Sequence, residues 1–508
     1  MKKILCLMLC LLAITASFYG CSNDETDETI TETETTEEET TAEDVVVKDV
    51  VIGYYADESL NPYLTTSSAN QKIASLLYDS LVTLDSSYDP YCELASAFNI
   101  DENKIIINLK DGLVFSDGTT LDAHDIAYSF ELAKESYFYS SRLSNFQSIT
   151  TGTDEIIFTL YETDVYAVSC LNFPIVKSGT GEADVPTGSG SYKAELDGST
   201  YYLVQNTKST TSEELLTTTI NLLDISKSDE SNLYLLQIGD LSFYYDDLSS
   251  PASQNITANT AEISTNNLVY LGMNNSNIIF ENDNIAEAFY WAIDINQIVS
   301  SCFDSYAEAA VTIFNPDWYG ASDYSNVTFS QNTQKANELL ENSGYVYGSQ
   351  SYRSNSTDAL SFTLIVNSES EAKIETAELI QEQLAQIGVE VIISELSFDE
   401  YTQALEDGEY DLYVGEIKLS SNMDLSVFFD EDGAANYGIS VSESLSTAYS
   451  DFISGNIDIS TFLSVLDEQR PIIALCYKTS LAYYSRELQY TYLSDSIDIF
   501  ANVYSWTY

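Results

Sequence analysis

Basic side chains are scarce. The chain has 19 Lys and Arg against 80 Asp and Glu, a formal net charge of −61 over 508 residues. Nucleic acids and anionic lipid headgroups are bound through clustered cations, so such a surface repels them and a nucleic-acid function is set aside. Histidine is almost missing, with His124 the single example. One imidazole offers little to a metal such as nickel, and serine catalysis would have to use that residue as its base. No Gly-rich loop ends in Lys, so no nucleotide site is expected. The seven cysteines include no Cys-x-x-Cys spacing, which argues against a zinc ribbon or a redox motif. No internal repeat is evident. Beyond the first twenty residues, no apolar run reaches the ~20 residues that a bilayer span requires.

Against this background the N-terminal segment stands out. Lys2 and Lys3 precede ILCLMLCLLAITASFY, an apolar run at residues 4–19 with the length of a secretory core. Gly20-Cys21 follows, which resembles a bacterial lipoprotein cleavage site, although Phe18 stands where an aliphatic residue is usual. Residues 1–20 are therefore expected to be a lipoprotein signal peptide, with Cys21 the lipidated anchor. From Asp24 to Asp44 there are eleven acids, eight threonines and no base. A segment with nothing to bury and strong self-repulsion reads as an extended tether, so 21–44 is taken as a disordered spacer. The folded body is expected from Val45. Its cysteines, Cys92, Cys170, Cys302 and Cys476, lie far apart. An exported compartment permits disulfides, but the spacing does not pair them.

The body alternates strand and helix patterns, which suggests an α/β architecture. VVIGYY (50–55), KIIINL (104–109), LVF (113–115), LSFTLIVN (360–367) and VEVIIS (389–394) read as strands. Residues 70–81, 333–345 and 371–388 read as helices, the last two stopped by Gly344 and Gly388. Residues 150–260 read as mostly β. Asp111-Gly112 and Asp117-Gly118 are turn signals, and Asp122 caps a helix with Ile126, Phe130 and Ala133 on one face. His124 sits in that helix's first turn, where the dipole disfavours its protonated form, so it is read as scaffold.

Several blocks then carry a family likeness. SLNPY (59–63), LLYDSLVTLD (76–85), ELASAFNID (93–101) and NLKDGLVFSDGTTLDAHDIAYSFELAK (108–134) follow in order. PTGSGSYK (186–193), AEAFYWAIDINQIV (286–299), KANELLENSGY (335–345) and residues 377–415 continue the series. Together they resemble the peptide, nickel and opine type of extracellular solute-binding protein, family 5, which serves ABC importers. The pattern departs at Ser191, where the family has Pro, and at Ala286 and Ile295, where it has Arg.

The resemblance implies a two-lobed periplasmic-binding-protein-like fold (type II, hinge-closing) with an extra inserted domain. Lobe I would comprise 45–75, 176–264 and 486–508; the inserted domain 76–175; lobe II 265–485. It implies a receptor, not an enzyme, with no cofactor and no metal of its own. Its partners would be an oligopeptide or other small solute, ABC permease subunits, and the membrane through the N-terminal lipid. The protein would act as a monomer on the extracytoplasmic face of the bacterial cell membrane.

Ligand contacts are carried over position by position. The loop after Asn61-Pro62 gives Thr66, Ser67 and Ser68, whose hydroxyls and backbone suit an extended peptide. Tyr63, Trp318, Tyr319 and Tyr437 follow matched motifs and are the expected cleft aromatics. Family members that bind dipeptides carry a Trp-x-x-Asp-x-x-Asp-Pro pattern before a Phe-Phe pair. Aligned on Asp424 and Phe428-Phe429, the Trp position is Lys418, the amine-binding Asp is Ser421, and the Pro is Leu425. A hydroxyl does not replace a carboxylate opposite a buried ammonium. Lys418 is therefore expected to meet a ligand carboxylate, and Asn422 or Asp424 to stand in for the lost acid. The alternatives are the same fold binding a sugar, an opine or a chelated metal, or an extracellular hydrolase.

Overall fold

The computed structural model describes residues 49–152, 155–209, 215–226, 231–248, 257–324, 327–348, 351–489 and 497–508. The expected signal peptide, Cys21 and the acidic tether lie outside them.

Eleven strands form one mixed sheet. They are β1 (Val50–Tyr54), β2 (Tyr192–Asp197), β3 (Thr200–Gln205), β4 (Thr219–Asp224), β5 (Phe243–Asp246), β6 (Asn259–Met273), β7 (Ala307–Ala309), β8 (Ser361–Asn367), β9 (Glu390–Leu396), β10 (Leu412–Lys418) and β11 (Ile472–Tyr484). The order is β9-β8-β10-β6-β11-β5-β1-β4-β3-β2, with β7 on the side of β11. β9, β8 and β10 run parallel, as do β4, β1 and β5, and antiparallel pairs join these groups. The helix Glu371–Gln386 makes the crossover between β8 and β9, burying Ala377, Ile380 and Leu384, and Gly388 follows it at φ +81°. The expected strands 50–55, 360–367 and 389–394 and this helix are all found within a residue or two.

Two cores flank the centre of the sheet. The first joins Ile52, Leu77, Tyr192, Ile220 and Trp506 with residues 94–176. The second side holds an aliphatic cluster around Ile285, Leu364, Ile380 and Val414, and an aromatic one around Phe314, Trp318, Tyr413 and Phe452. β6 and β11 pass from one side to the other. Ile263 and Tyr484 belong to the first core, and Leu271 and Leu475 to the second. Their pairing shifts register between Ser264 and Leu268, where the cores change. A bulge there adds local twist and bends the strand.

A separate four-stranded antiparallel sheet contains Ala95–Asp101, Lys104–Leu109, Phe146–Thr151 and Ile156–Leu160. The capped helix predicted after Asp122 covers it. Asp122 accepts from His124 N at 2.8 Å, and Asp125 accepts from Asp122 N at 3.1 Å. Phe130 is fully buried against Phe158, with ring centroids 5.3 Å apart, while His124 faces solvent. The expected strand 113–115 shrinks to a single bridge, Val114 to Thr120, because the turn closed by Phe115 and Thr119 leaves no room for more. Within 150–260 the sheet strands are interrupted by the helix Asn232–Ile238 and a 3-10 turn at Ala167–Leu171.

The helix expected at 70–81 is α1 (Ser68–Leu77). It ends early because Tyr78 turns extended, and the freed Leu77 carbonyl accepts from Gly190 N at 3.0 Å. That places the PTGSGS turn directly on the end of α1.

β6 and β10 are locked by two reciprocal pairs, Tyr270 opposite Gly415 and Gly272 opposite Tyr413. A Cβ at Gly272 would lie 2.1 Å from the Tyr413 ring, and one at Gly415 would lie 2.4 Å from that of Tyr270. Both rings are buried. Overpacking of this kind costs about 1–3 kcal/mol. Gly272→Ala should lower stability by that amount in urea unfolding, with an unchanged m-value.

Candidate functional site

A cavity of about 490 Å³ opens beside the N-terminus of α1. Thr66, Ser67 and Ser68 line it, together with Tyr55, Tyr244 and Tyr245. Ser67 caps α1, its hydroxyl accepting from Asn70 N at 3.3 Å. Asn70 in turn clamps the preceding loop. Its amide donates to the carbonyls of Tyr55 (2.9 Å) and Ser59 (3.1 Å), and its Oδ1 accepts from Tyr55 N at 2.9 Å. Thr66 N and Oγ1 both donate to Glu58 at 3.2 Å. The loop is thus tied down by hydrogen bonds, and the Thr66 amide is already engaged.

One turn into α1, Lys72 also lines the cavity, its ammonium 4.3 Å from the centre of the Tyr245 ring. Burial pushes its pKa down to about 8, and the charge of Lys418 adds to this against the pull of Asp247. Lys418 ends β10 on the opposite side of the sheet centre. Its side chain reaches solvent, yet protein crowds it enough that burial, then Arg142, lowers its pKa. Arg142 stacks on Tyr139 at 4.6 Å and donates to Asn172 Oδ1 at 2.6 Å. The Tyr139 hydroxyl accepts from Gln71, the neighbour of Lys72.

The other expected site residues lie elsewhere. Tyr63 is buried, edge-on to Tyr139, with its hydroxyl bonded to the Pro174 carbonyl. Trp318 is fully buried among Tyr166, Phe314 and Tyr319. Tyr319 N donates to Ser87 O at 2.9 Å. Asn422 donates to Asp164 Oδ2 at 2.8 Å and accepts from Ser420 at 2.6 Å. Ser421 is half-buried beside it. Asp424 has both oxygens occupied, by Ser426 N and Oγ and by the Tyr449 hydroxyl. Tyr437 packs edge-on to Tyr413, within a tyrosine cluster that includes Tyr270 and Tyr410.

Trp318, Tyr319 and Asn422 therefore belong to a seam. It joins the second side to the segments 84–88 and 163–166, where Val165 N also donates to Ile453 O at 2.8 Å. Burial there raises Asp164 to about 7.

Motif matching did not single out Lys72, Arg142, Tyr244, Tyr245 or Asp247. A usable signal existed for one of them, since Lys72 is the only base between Lys48 and Lys104.

Two outcomes follow. The folded-state pKa of Lys72 lies below its ordinary 10.5, so its charged form opposes folding below about pH 8, and the penalty fades as pH rises through 8 towards 10.5. NMR of the 13C-methylated lysines should show one titrating near 8, moving upward in Lys418→Gln. Trp318→Ala should cost about 3–5 kcal/mol in chemical unfolding, as for a large buried aromatic.

Comparison with known proteins agrees with this architecture. Residues 89–434 match the family described as bacterial extracellular solute-binding proteins, family 5 Middle. The oligopeptide-binding protein AppA of Bacillus subtilis (strain 168) is 25% identical over 363 residues, 65% of this chain and 66% of AppA. The match thus spans just under two thirds of that relative. The glutathione-binding protein GsiB of Salmonella paratyphi A is 23% identical over 66% of this chain and 67% of its own. Among solved structures, AppA in complex with a nonapeptide superimposes with a TM-score of 0.60 at 20% identity, covering 90% of this chain and 98% of that one. A nickel ABC transporter protein from Bacillus halodurans gives 0.72 at 17%, covering 91% and 99%. The fold is the two-lobed one seen in those structures. The chain belongs to the family 5 bacterial extracellular solute-binding proteins.

Proposed function

We propose that this protein is a lipid-anchored extracytoplasmic receptor that captures oligopeptides between its lobes and delivers them to an ABC importer. The observation that carries this reading is the cavity at the start of α1, with the hydroxyls of Thr66, Ser67 and Ser68 on its rim and three tyrosines on its wall. Short hydroxyls and aromatic faces suit a peptide, whose backbone needs polar partners and whose side chains need apolar surface. The peptide-binding relative AppA supports the choice of ligand. Lobe I is assigned to 45–75, 176–264 and 486–508, the inserted domain to 76–175, and lobe II to 265–485. β6 and β11 then form the hinge, and closure over the solute is a hinge motion. Cys21 would carry the lipid, and the acidic segment 21–44 would hold a monomeric body away from the membrane.

A thermal-shift screen tests the ligand class. Protein stripped of ligand by partial unfolding and refolding is offered peptides of two to eight residues, their amidated and acetylated forms, sugars and nickel. A ligand at 100 times its Kd should add about 2.7 kcal/mol. Equal shifts from free and N-acetylated peptides are expected, because Ser421 offers no charge to a peptide amine. A shift from a sugar or a metal complex with none from any peptide overturns the peptide reading.

A further inference from the structure

The seam around Trp318 encloses a carboxylate with no cation. Asp164 is only 4% exposed. Its Oδ2 accepts from Asn422 Nδ2 and its Oδ1 from Tyr166 N, both at 2.8 Å. None of the ion pairs among the described residues includes it. Further contacts cross at the same place. Val165 N donates to Ile453 O at 2.8 Å, and Tyr319 N to Ser87 O at 2.9 Å. The Tyr166 ring packs on Trp318, Tyr319 and Phe452. The facing loop turns sharply. Met423, between Asn422 and Asp424, is buried and holds φ +54°, which is uncommon for a residue other than glycine.

The groups that face Asp164 do not supply the missing charge. Asp424, from the same loop as Asn422, repels it. Tyr449, from the helix Glu443–Ile453, donates its hydroxyl to Asp424. Tyr166 and Tyr319 present neutral phenols and Cys170 a neutral thiol, and burial raises the pKa of all three. Asp430 and Glu162, both exposed, add negative charge along this edge. Arg142 acts on Cys170, but it donates to Asn172 and stacks on Tyr139. A carboxylate taken out of water without a cation is disfavoured in its charged form. Burial accordingly raises Asp164 to about 7, with Asn422 and the Tyr166 amide holding it down and Asp424 pushing it up.

We infer that Asp164 and Asn422 form a pH-dependent catch between the 163–166 segment and the 420–426 loop, closed most firmly when the carboxyl is protonated. The inference goes beyond the receptor reading and does not depend on which solute is bound. The hydrogen bonds balance within the pair. In the ionised form Asn422 donates to Asp164 and accepts from Ser420. When Asp164 takes a proton from solvent, the Asn422 amide turns over. Its oxygen then accepts the new O–H, and its nitrogen donates to the Ser420 hydroxyl oxygen. The contact survives and the buried charge is gone. The sign follows from the two pKa values. With the seam open, Asp164 is hydrated and ionises near its ordinary 3.8; with the seam closed, near 7. Closure therefore carries no charge penalty below about pH 4, weakens as pH rises towards 7, and stays weak above it. The two segments fall in the assigned inserted domain and lobe II, so higher pH lets these part more readily.

Amide hydrogen exchange on the ligand-free protein, read by mass spectrometry and corrected for its intrinsic pH dependence, tests the catch. The reporters are peptides containing Val165 and Tyr319, whose amides donate across the seam. Peptides containing Leu271 and Val414, from β6 and β10, are the controls. In the wild type, protection at the seam should fall at least tenfold between about pH 5 and pH 8 while the controls hold theirs. Asp164→Asn should abolish the fall, and Asp424→Asn should make it smaller by removing a repelling charge. Seam protection that does not change with pH in the wild type overturns the inference, as does an unchanged fall in Asp164→Asn. An equal fall in the controls reports global unfolding and also overturns it. If Asp164→Asn does not fold, the carbon-13 signal of the wild-type Asp164 carboxyl decides: titration near 7 supports the catch, and titration near 4 overturns it.

Discussion

The pairing of β6 with β11 is the constraint on which the rest of the molecule depends. Both strands are long, Asn259–Met273 and Ile472–Tyr484, and they are hydrogen-bonded from Asn259 opposite Tyr484 to Gly272 opposite Ile472. One end of the pair is buried in the first core and the other in the second, so a single ladder ties both sides into one sheet. The register shift between Ser264 and Leu268 falls at the crossing. Its backbone is held by side chains: Thr265 Oγ1 donates to Lys478 O at 2.7 Å, and Asn315 donates to Thr265 O at 3.1 Å and to Asn266 Oδ1 at 2.7 Å. Side-chain hydrogen bonds thus hold the backbone where the ladder is interrupted.

This crossing also places the chemistry. Asn267 pairs with Lys418 across the ladder, and Asn266 O accepts from Leu419 N at 2.9 Å. Lys418 is therefore fixed to the crossing itself. The seam of Trp318, Tyr319 and Asn422 against residues 84–88 and 163–166 is a second junction. It is built from aromatic packing and main-chain hydrogen bonds, which hold position and bring little charge to a ligand.

The acidity of the chain has different meanings in different places. Most carboxylates are solvated, and several do local work at helix ends, such as Asp122, Asp294 and Asp458. Buried ones behave otherwise. Glu416 is held well ionised by Lys373 and Lys478, whereas burial without a cation raises Asp164 and Glu93.

What the sequence determined by itself is what depends on near neighbours along the chain. The helix Glu371–Gln386 was legible because Ile380 and Leu384 recur at helical spacing before Gly388. The cap at Asp122 was legible because a capping side chain bonds within three residues of itself. Thr66–Ser68 were named through the family resemblance, and the structure sets them on a cavity beside α1. Tertiary structure decided the rest. Tyr63 and Trp318 sit in motifs that border a cleft, yet packing turned their rings into the interior, and no local pattern reports which way an aromatic points. Asn422 and Asp164 lie 258 residues apart and are hydrogen-bonded only because the fold brings their segments together. Distance in space sets that, and the order of residues along the chain does not.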